Sequence, residues 1–196
     1  MSKTLAPMFD LYDVLQNQIA FQKSLGNELP TEITTFDNVQ MSLSHSIYQN
    51  IEFQEFMEAD NLEDRKEELI DCLLFMLNKY IFLADMTVKR ILTANPIDKT
   101  LWSCHEEQSF AQCSHLASLE QETYITLIRN HCTFKPWKKK NGDDCAPDVD
   151  AIFQSFAKAL KYFKQMANIV FDSGKEFYDY LEMKMQKNID RQSSGY

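Results

Sequence analysis

Two pairs of acidic residues have the spacing to do chemistry together. Glu52-Phe-Gln-Glu55 and Glu68-Leu-Ile-Asp71 each set two carboxylates three positions apart. In a helix, that spacing puts both members of a pair on one face. The intervening stretch, Ala59-Asp60-Asn61-Leu62-Glu63-Asp64, is short and polar, so two helices would fold back on each other and bring the pairs face to face. Glu68 and Asp71 interrupt an apolar run of Leu69, Ile70, Leu73, Leu74 and Leu77, so part of that helix is expected to be buried. Carboxylates converging beside an apolar core repel one another and lose hydration unless a cation neutralises them. An all-oxygen set suits magnesium, with manganese as an alternative, better than zinc. Glu-x-x-Glu alone is also common on a solvated helix face. The apolar setting of the second pair is what favours a metal.

Periodicity supplies the elements that would position these pairs. Met8, Leu11, Leu15, Ile19 and Leu25 mark a helix over about 7–25, with Gly26 as its stop. After a loop, a second helix is expected over about 37–59 with Asp37 as N-cap. A third follows over about 61–84 with Asn61 as cap. Residues 87–94 would form a short helix ended by Asn95-Pro96, and 95–114 reads as irregular. Further helices are expected over about 116–131, 147–171 and 175–192, with a polar loop at 133–147 and a break at Asp172-Ser173-Gly174. No segment alternates as a strand would. The fold class is therefore all-α, an antiparallel helical bundle in a single domain. It would hold a metal-binding helix pair at about 37–84, a second pair at about 116–171 and a carboxy-terminal helix at about 175–196. The two pairs are similar in size and order, as two degenerate helical repeats would be, and the second lacks the carboxylate pattern.

Composition narrows the function classes. The 196 residues include only four Gly and five Pro, too few for a β-rich fold of tight turns. A net charge of −9 argues against stable nucleic-acid binding, even beside the local cluster Trp137-Lys138-Lys139-Lys140. No apolar run is long enough to cross a membrane, and the amino-terminal residues lack the apolar core of a signal peptide. Five Cys at irregular spacing fit reduced thiols rather than a disulfide framework. The expectation is a soluble, cytoplasmic protein, in a host cytoplasm if the source is viral.

Near the end of the chain, Lys184, Asn188 and Arg191 fall at i, i+4 and i+7, on one face of a helix. Cations and an amide on one face suit a polyanion such as a triphosphate. Compensation of the helix dipole would also account for the charges. It would not account for the ending Arg191-Gln-Ser-Ser-Gly195-Tyr196.

The pattern Lys184-xxx-Asn188-xx-Arg191-Gln192-xx-Gly195-Tyr196 resembles the closing motif of the all-α dimeric dUTPases and T-even phage dCTPase–dUTPases, within the MazG-like nucleoside triphosphate pyrophosphatases. Glu52-Phe-Gln-Glu55, Glu68-Leu-Ile-Asp71 and the continuation Phe75-Met-Leu-Asn78-Lys79 are similar to that family's acidic motifs. Leu11-Tyr-Asp-Val-Leu-Gln-Asn-Gln18 resembles its first motif. Together these stretches cover about half of the chain. Two departures concern the base pocket. Leu74 stands where the family often has His, and the only Trp-Lys segment, at 134–138, lies in the second half of the chain.

The resemblance implies magnesium-dependent hydrolysis of a pyrimidine deoxynucleoside triphosphate, dUTP and/or dCTP, to the monophosphate and pyrophosphate, by a homodimer. Glu52, Glu55, Glu68 and Asp71 would hold magnesium, and Glu52 or Glu55 would orient or deprotonate the attacking water. Gln18 would contact the base, and Asn78 the sugar or base. Lys184, Asn188, Arg191 and Tyr196 would hold the phosphates.

Other readings stay open. Cys104, His105, Cys113, His115, His131, Cys132 and Cys145 would be the ligands of a structural zinc, although no two of them form a standard pairing. The chain would otherwise be a pyrophosphatase for another or modified deoxynucleotide, or a non-enzymatic helical interaction protein.

Overall fold

The computed structural model describes Met8 and residues 10–29, 36–82, 109–131 and 149–194. Within these residues lie six helices and no strand: α1 (Leu11–Ser24), α2 (Phe36–Glu58), α3 (Leu62–Ile81), α4 (Phe110–His131), α5 (Val149–Val170) and α6 (Gly174–Ser193). The all-α bundle expected from periodicity is present. The short helix expected at 87–94, the segment at 134–140, Pro147 at the expected start of the fifth long helix, and Tyr196 lie outside the described residues.

Local chemistry sets the helix ends. Asp10 caps α1 by accepting from the amides of Tyr12 at 2.8 Å and Asp13 at 3.2 Å. After α1 the chain turns at Gly26, whose φ of 81° is a conformation that glycine adopts without strain. Asn61 caps α3, its Oδ1 accepting from the amide of Asp64 at 2.9 Å. Ser173 caps α6 by accepting from the amide of Glu176 at 3.2 Å.

Three boundaries differ from expectation. The first helix begins at Leu11, after its Asp10 cap, rather than at about residue 7. The second helix begins at Phe36, so Asp37 lies in its first turn rather than at its cap. The fourth begins at Phe110, within the stretch read as irregular. Ser109 and Gln112 explain that start: the Ser109 hydroxyl accepts from the Gln112 amide, and Gln112 Oε1 accepts from the Ser109 amide at 3.0 Å. This reciprocal pair is a capping box.

Helix α3 is the central element, packed against α1, α2, α5 and α6. Its partnership with α2 is antiparallel. Ser42 meets the carbonyl of Lys79 at 2.7 Å, and Cys72 meets the carbonyl of Gln49. Helices α4 and α5 are likewise antiparallel, since Cys113 pairs with Gln165 and Ser155 with Glu120. Helix α6 runs parallel to α3. Lys66 binds Glu176 at 2.6 Å, and further along both helices Asp71 binds Lys184 at 2.6 Å. The core joins Leu11 and Leu15 of α1, Phe56 of α2, Leu73, Leu77 and Tyr80 of α3, Phe156 and Phe163 of α5, and Phe177 of α6. The Tyr80 ring lies edge-on to Phe156 at 4.1 Å. No helix among the described residues is long and apolar enough to cross a membrane.

Candidate metal centre and adjoining cavity

Between Lys66 and Phe82, only Glu67, Glu68, Asp71 and Phe75 escape full burial. They form the one stripe of α3 that core packing leaves open, and it borders α2 on one side and α6 on the other. The three-residue connection Ala59-Asp60-Asn61 turns α2 back along α3, which brings Glu52 and Glu55 opposite Glu68. Carboxylate oxygens of Glu52, Glu55 and Glu68 all lie within 4.8 Å of one another. Glu52 and Glu68 are half-buried, and Glu55 is exposed.

Asp71 lies one turn beyond Glu68, outside this group of three, and is held by a lysine. Lys184 Nζ is 2.6 Å from Asp71 Oδ2 and 3.0 Å from Glu67 Oε2. Lys187 adds a longer contact to Glu67, at 3.4 Å. The described structure therefore places Lys184 on carboxylates, and it does not line the neighbouring cavity. Burial works against its charge, but Asp71 and Glu67 together outweigh that and raise its pKa. Glu67, which the acidic motifs do not include, has its pKa lowered by the hydrogen bond from Lys184.

The carboxylates themselves are in electrostatic conflict. Burial raises the Glu52 carboxyl to about 7, reinforced by Asp71, Glu68 and Glu55. Burial also raises Glu68, and it raises Asp71 in spite of Lys184. One lysine thus leaves the cluster under-neutralised. An all-oxygen, under-neutralised and partly desolvated donor set fits a hard divalent cation.

These shifts predict a pH dependence. Between about pH 4.5 and 7 the folded chain keeps a proton on Glu52 that the unfolded chain has lost. Without metal, the contribution of Glu52 to stability therefore falls as pH rises through that window. In melts in chelator from about pH 5 to 8, Glu52→Gln should gain Tm relative to the wild type as pH rises, so that the slopes of the two differ. An unchanged slope in that variant would remove Glu52 as the source.

Beside the cluster lies a cavity of about 510 Å³, within the range of small-molecule sites. Its lining includes four residues expected to bind substrate: Gln18 of α1, Asn78 of α3, and Asn188 and Arg191 of α6. Asp71 also lines it and links cavity to cluster. Gln18 Nε2 donates to Asn78 Oδ1 at 2.8 Å, and Gln22 Nε2 donates to the same oxygen at 3.2 Å. Gln22 Oε1 accepts from Asn27 at 2.8 Å.

Sequence reasoning did not single out Gln22 or His45, both of which line the cavity. The i,i+4 spacing of Gln18 and Gln22 was a readable signal. His45, a single imidazole on a helix, carried none. Of the proposed zinc ligands, Cys104, His105, Cys132 and Cys145 lie outside the described residues. Cys113 is buried, and its thiol reaches Gln165 at 3.3 Å. Cys72 and Cys113 form no disulfide. No family model, no curated protein and no solved structure matches this chain.

Proposed function

We propose that this chain is a magnesium-dependent pyrophosphatase acting on a pyrimidine deoxynucleoside triphosphate, dUTP and/or dCTP. One observation carries the reading. A three-carboxylate group and an amide-lined cavity meet at Asp71, with Asn188 and Arg191 on the rim. That is the division of labour a nucleotide needs, with charge neutralisation at one end and directional hydrogen bonds at the other. The half-burial of Glu52, Glu68 and Asp71 weighs against a purely solvated acidic face.

In this reading Glu52, Glu55 and Glu68 hold magnesium, and Asp71 joins them. Bound magnesium would neutralise the charge of the phosphates. Glu52 or Glu55 orients or deprotonates a water for attack at the α-phosphorus. The water oxygen bonds to that phosphorus, the bond to the bridging oxygen breaks, and pyrophosphate leaves. Arg191 and Asn188 grip the leaving phosphates, with Tyr196 expected beside them. Lys184, which rests on Asp71 and Glu67, would supply a further positive charge to them. Gln18 and Asn78 bind the base and sugar end.

A homodimer belongs to the same reading. On α2, Ile47, Tyr48 and Ile51 are 61%, 51% and 44% exposed and offer an apolar face for a second copy. Light scattering would test it.

The deciding experiment measures pyrophosphate release from dUTP, dCTP, dTTP, dATP and dGTP, with magnesium and with chelator. Magnesium-dependent turnover of one or two pyrimidine substrates is expected. Turnover of none would remove the enzymatic reading, and turnover of a purine alone would replace the substrate class.

A further inference from the structure

We propose that His45 is a specificity-determining residue of the cavity, supplying the hydrogen bond that completes selection of a pyrimidine base over a purine. The inference rests on the reading that the cavity takes a deoxynucleotide base, and it adds a residue that the acidic and carboxy-terminal motifs do not contain.

His45 is held rigidly in the cavity wall. Its ring stacks on Phe82, with centroids 5.0 Å apart and planes 16° from parallel. Phe75 flanks it at 5.9 Å and is itself stacked on Tyr48 at 5.4 Å. A ring clamped in this way keeps its nitrogens in fixed positions. His45 Nδ1 is buried and has no hydrogen-bond partner among the described residues. Buried polar groups without partners are rare in folded proteins, and an orphaned N–H is rarer than an orphaned acceptor. We therefore assign the bare lone pair to Nδ1 and the proton to Nε2. Burial lowers the ring to a pKa of about 4, so it is neutral near pH 7 and carries a single N–H.

The amides supply the remaining pattern. Asn78 Oδ1 is occupied by Gln18 and Gln22, which leaves Asn78 Nδ2 as a donor without a partner among the described residues. Gln18 uses its Nε2 on Asn78, and its Oε1 has no donor among the described residues. Gln22 is committed at both ends, to Asn78 and to Asn27. At the α1–α3 end of the cavity, these three side chains thus offer two donors, Asn78 and His45, and one acceptor, Gln18.

The pairing edges of uracil, thymine and cytosine each carry two acceptors and one donor, the complement of that set. Guanine carries one acceptor and two donors, and adenine one of each. Without the His45 N–H, this set keeps one donor and one acceptor and loses its preference for pyrimidines. A buried donor or acceptor left unpaired by the wrong base is what separates ligands of similar size.

The test is equilibrium binding of dUMP, dTMP, dCMP, dAMP and dGMP to the wild-type chain, to His45→Phe and to His45→Gln. Phe keeps the stacked ring and removes the N–H, whereas Gln restores an N–H. The wild type should favour pyrimidine over purine monophosphates. His45→Phe should weaken pyrimidine binding roughly ten- to a hundredfold with little change for purines, and His45→Gln should recover part of the loss. Should His45→Phe misfold, the imidazole 15N resonances of wild-type His45 serve instead, and they should shift on adding dUMP. The proposal is overturned if His45→Phe keeps the wild-type preference, if the wild type binds no pyrimidine monophosphate preferentially, or if those resonances stay still. Monophosphate binding requires neither metal nor hydrolysis. A wild type that prefers pyrimidines yet releases no pyrophosphate would therefore sink the hydrolytic reading and leave this one standing.

Discussion

Replacing Glu68 with Gln is expected to cut pyrophosphate release on the order of a thousandfold while the bundle stays folded. The substitution keeps the shape of the side chain and removes one negative charge from the group it forms with Glu52 and Glu55. Two effects then diverge. A divalent cation loses a ligand, so both metal affinity and turnover drop. The metal-free fold loses a like-charge repulsion, because Glu68 is among the groups that hold the Glu52 carboxyl near 7. Tm in chelator should therefore hold or rise, whereas a merely structural carboxylate would lower it when removed. Glu122→Gln, at an exposed position on α4, is the control and should leave turnover unchanged. Wild-type turnover in Glu68→Gln at ordinary magnesium would defeat the metal assignment. Lost turnover together with a collapsed melt would mean that Glu68 acts through folding.

Much of this arrangement is legible in the sequence because it is local. The i,i+3 spacing of each acidic pair, the short polar connection and the cap at Asn61 determine which faces meet, and Glu52, Glu55 and Glu68 do converge. Asn188 and Arg191, seven and more positions beyond Leu181 on one face of α6, reach the same cavity as Gln18 and Asn78. What escapes is set by packing between elements distant in sequence. The start of α4 is one case. Residues 110–115 are poor in regular apolar spacing, yet Phe110 packs on Phe56 at 5.5 Å and Cys113 is fully buried. His45 is another, since only the fold brings the rings of Phe75 and Phe82 against it. Lys184 is a third. Its position on α6 fits phosphate binding, but the parallel packing of α6 on α3 aligns it with Glu67 and Asp71. A residue that answers to a ligand in sequence answers first to its nearest opposite charge in the ligand-free fold.

Lys79 illustrates the same point with larger consequences for stability, and Lys79→Met is expected to make the protein more stable near neutral pH. Its sequence gives no hint of burial, since Lys is among the residues least often found inside. In the fold it is fully buried, Nζ donating to Gln121 Oε1 and lying 4.5 Å from the ring centre of Tyr124 and 5.1 Å from that of Tyr80. Gln121 in turn donates to the carbonyl of Ser46 at 3.0 Å, so the network ties α3 and α4 to α2. Burial lowers the Lys79 amine from 10.5 to about 7, with no carboxylate among the described residues to offset it. Between those values the unfolded chain holds a proton that the folded chain has released, so stability rises with pH across that window. The destabilising contribution is full below about pH 7, on the order of 5 kcal/mol, and is gone above about pH 10.5. Met keeps the apolar stem and removes the titration, but it leaves Gln121 Oε1 without its donor, a loss of about 1–3 kcal/mol. The net expectation near pH 7 is a gain of about 3 kcal/mol, or about 6–12 °C in Tm. The sign should reverse near pH 10, where neutral Lys79 keeps its hydrogen bond to Gln121 and Met cannot. Unfolding of both proteins, followed in urea from about pH 6 to 10, checks this. A stability difference that stays constant across that range would show that Lys79 retains an ordinary pKa and is solvated in the folded chain.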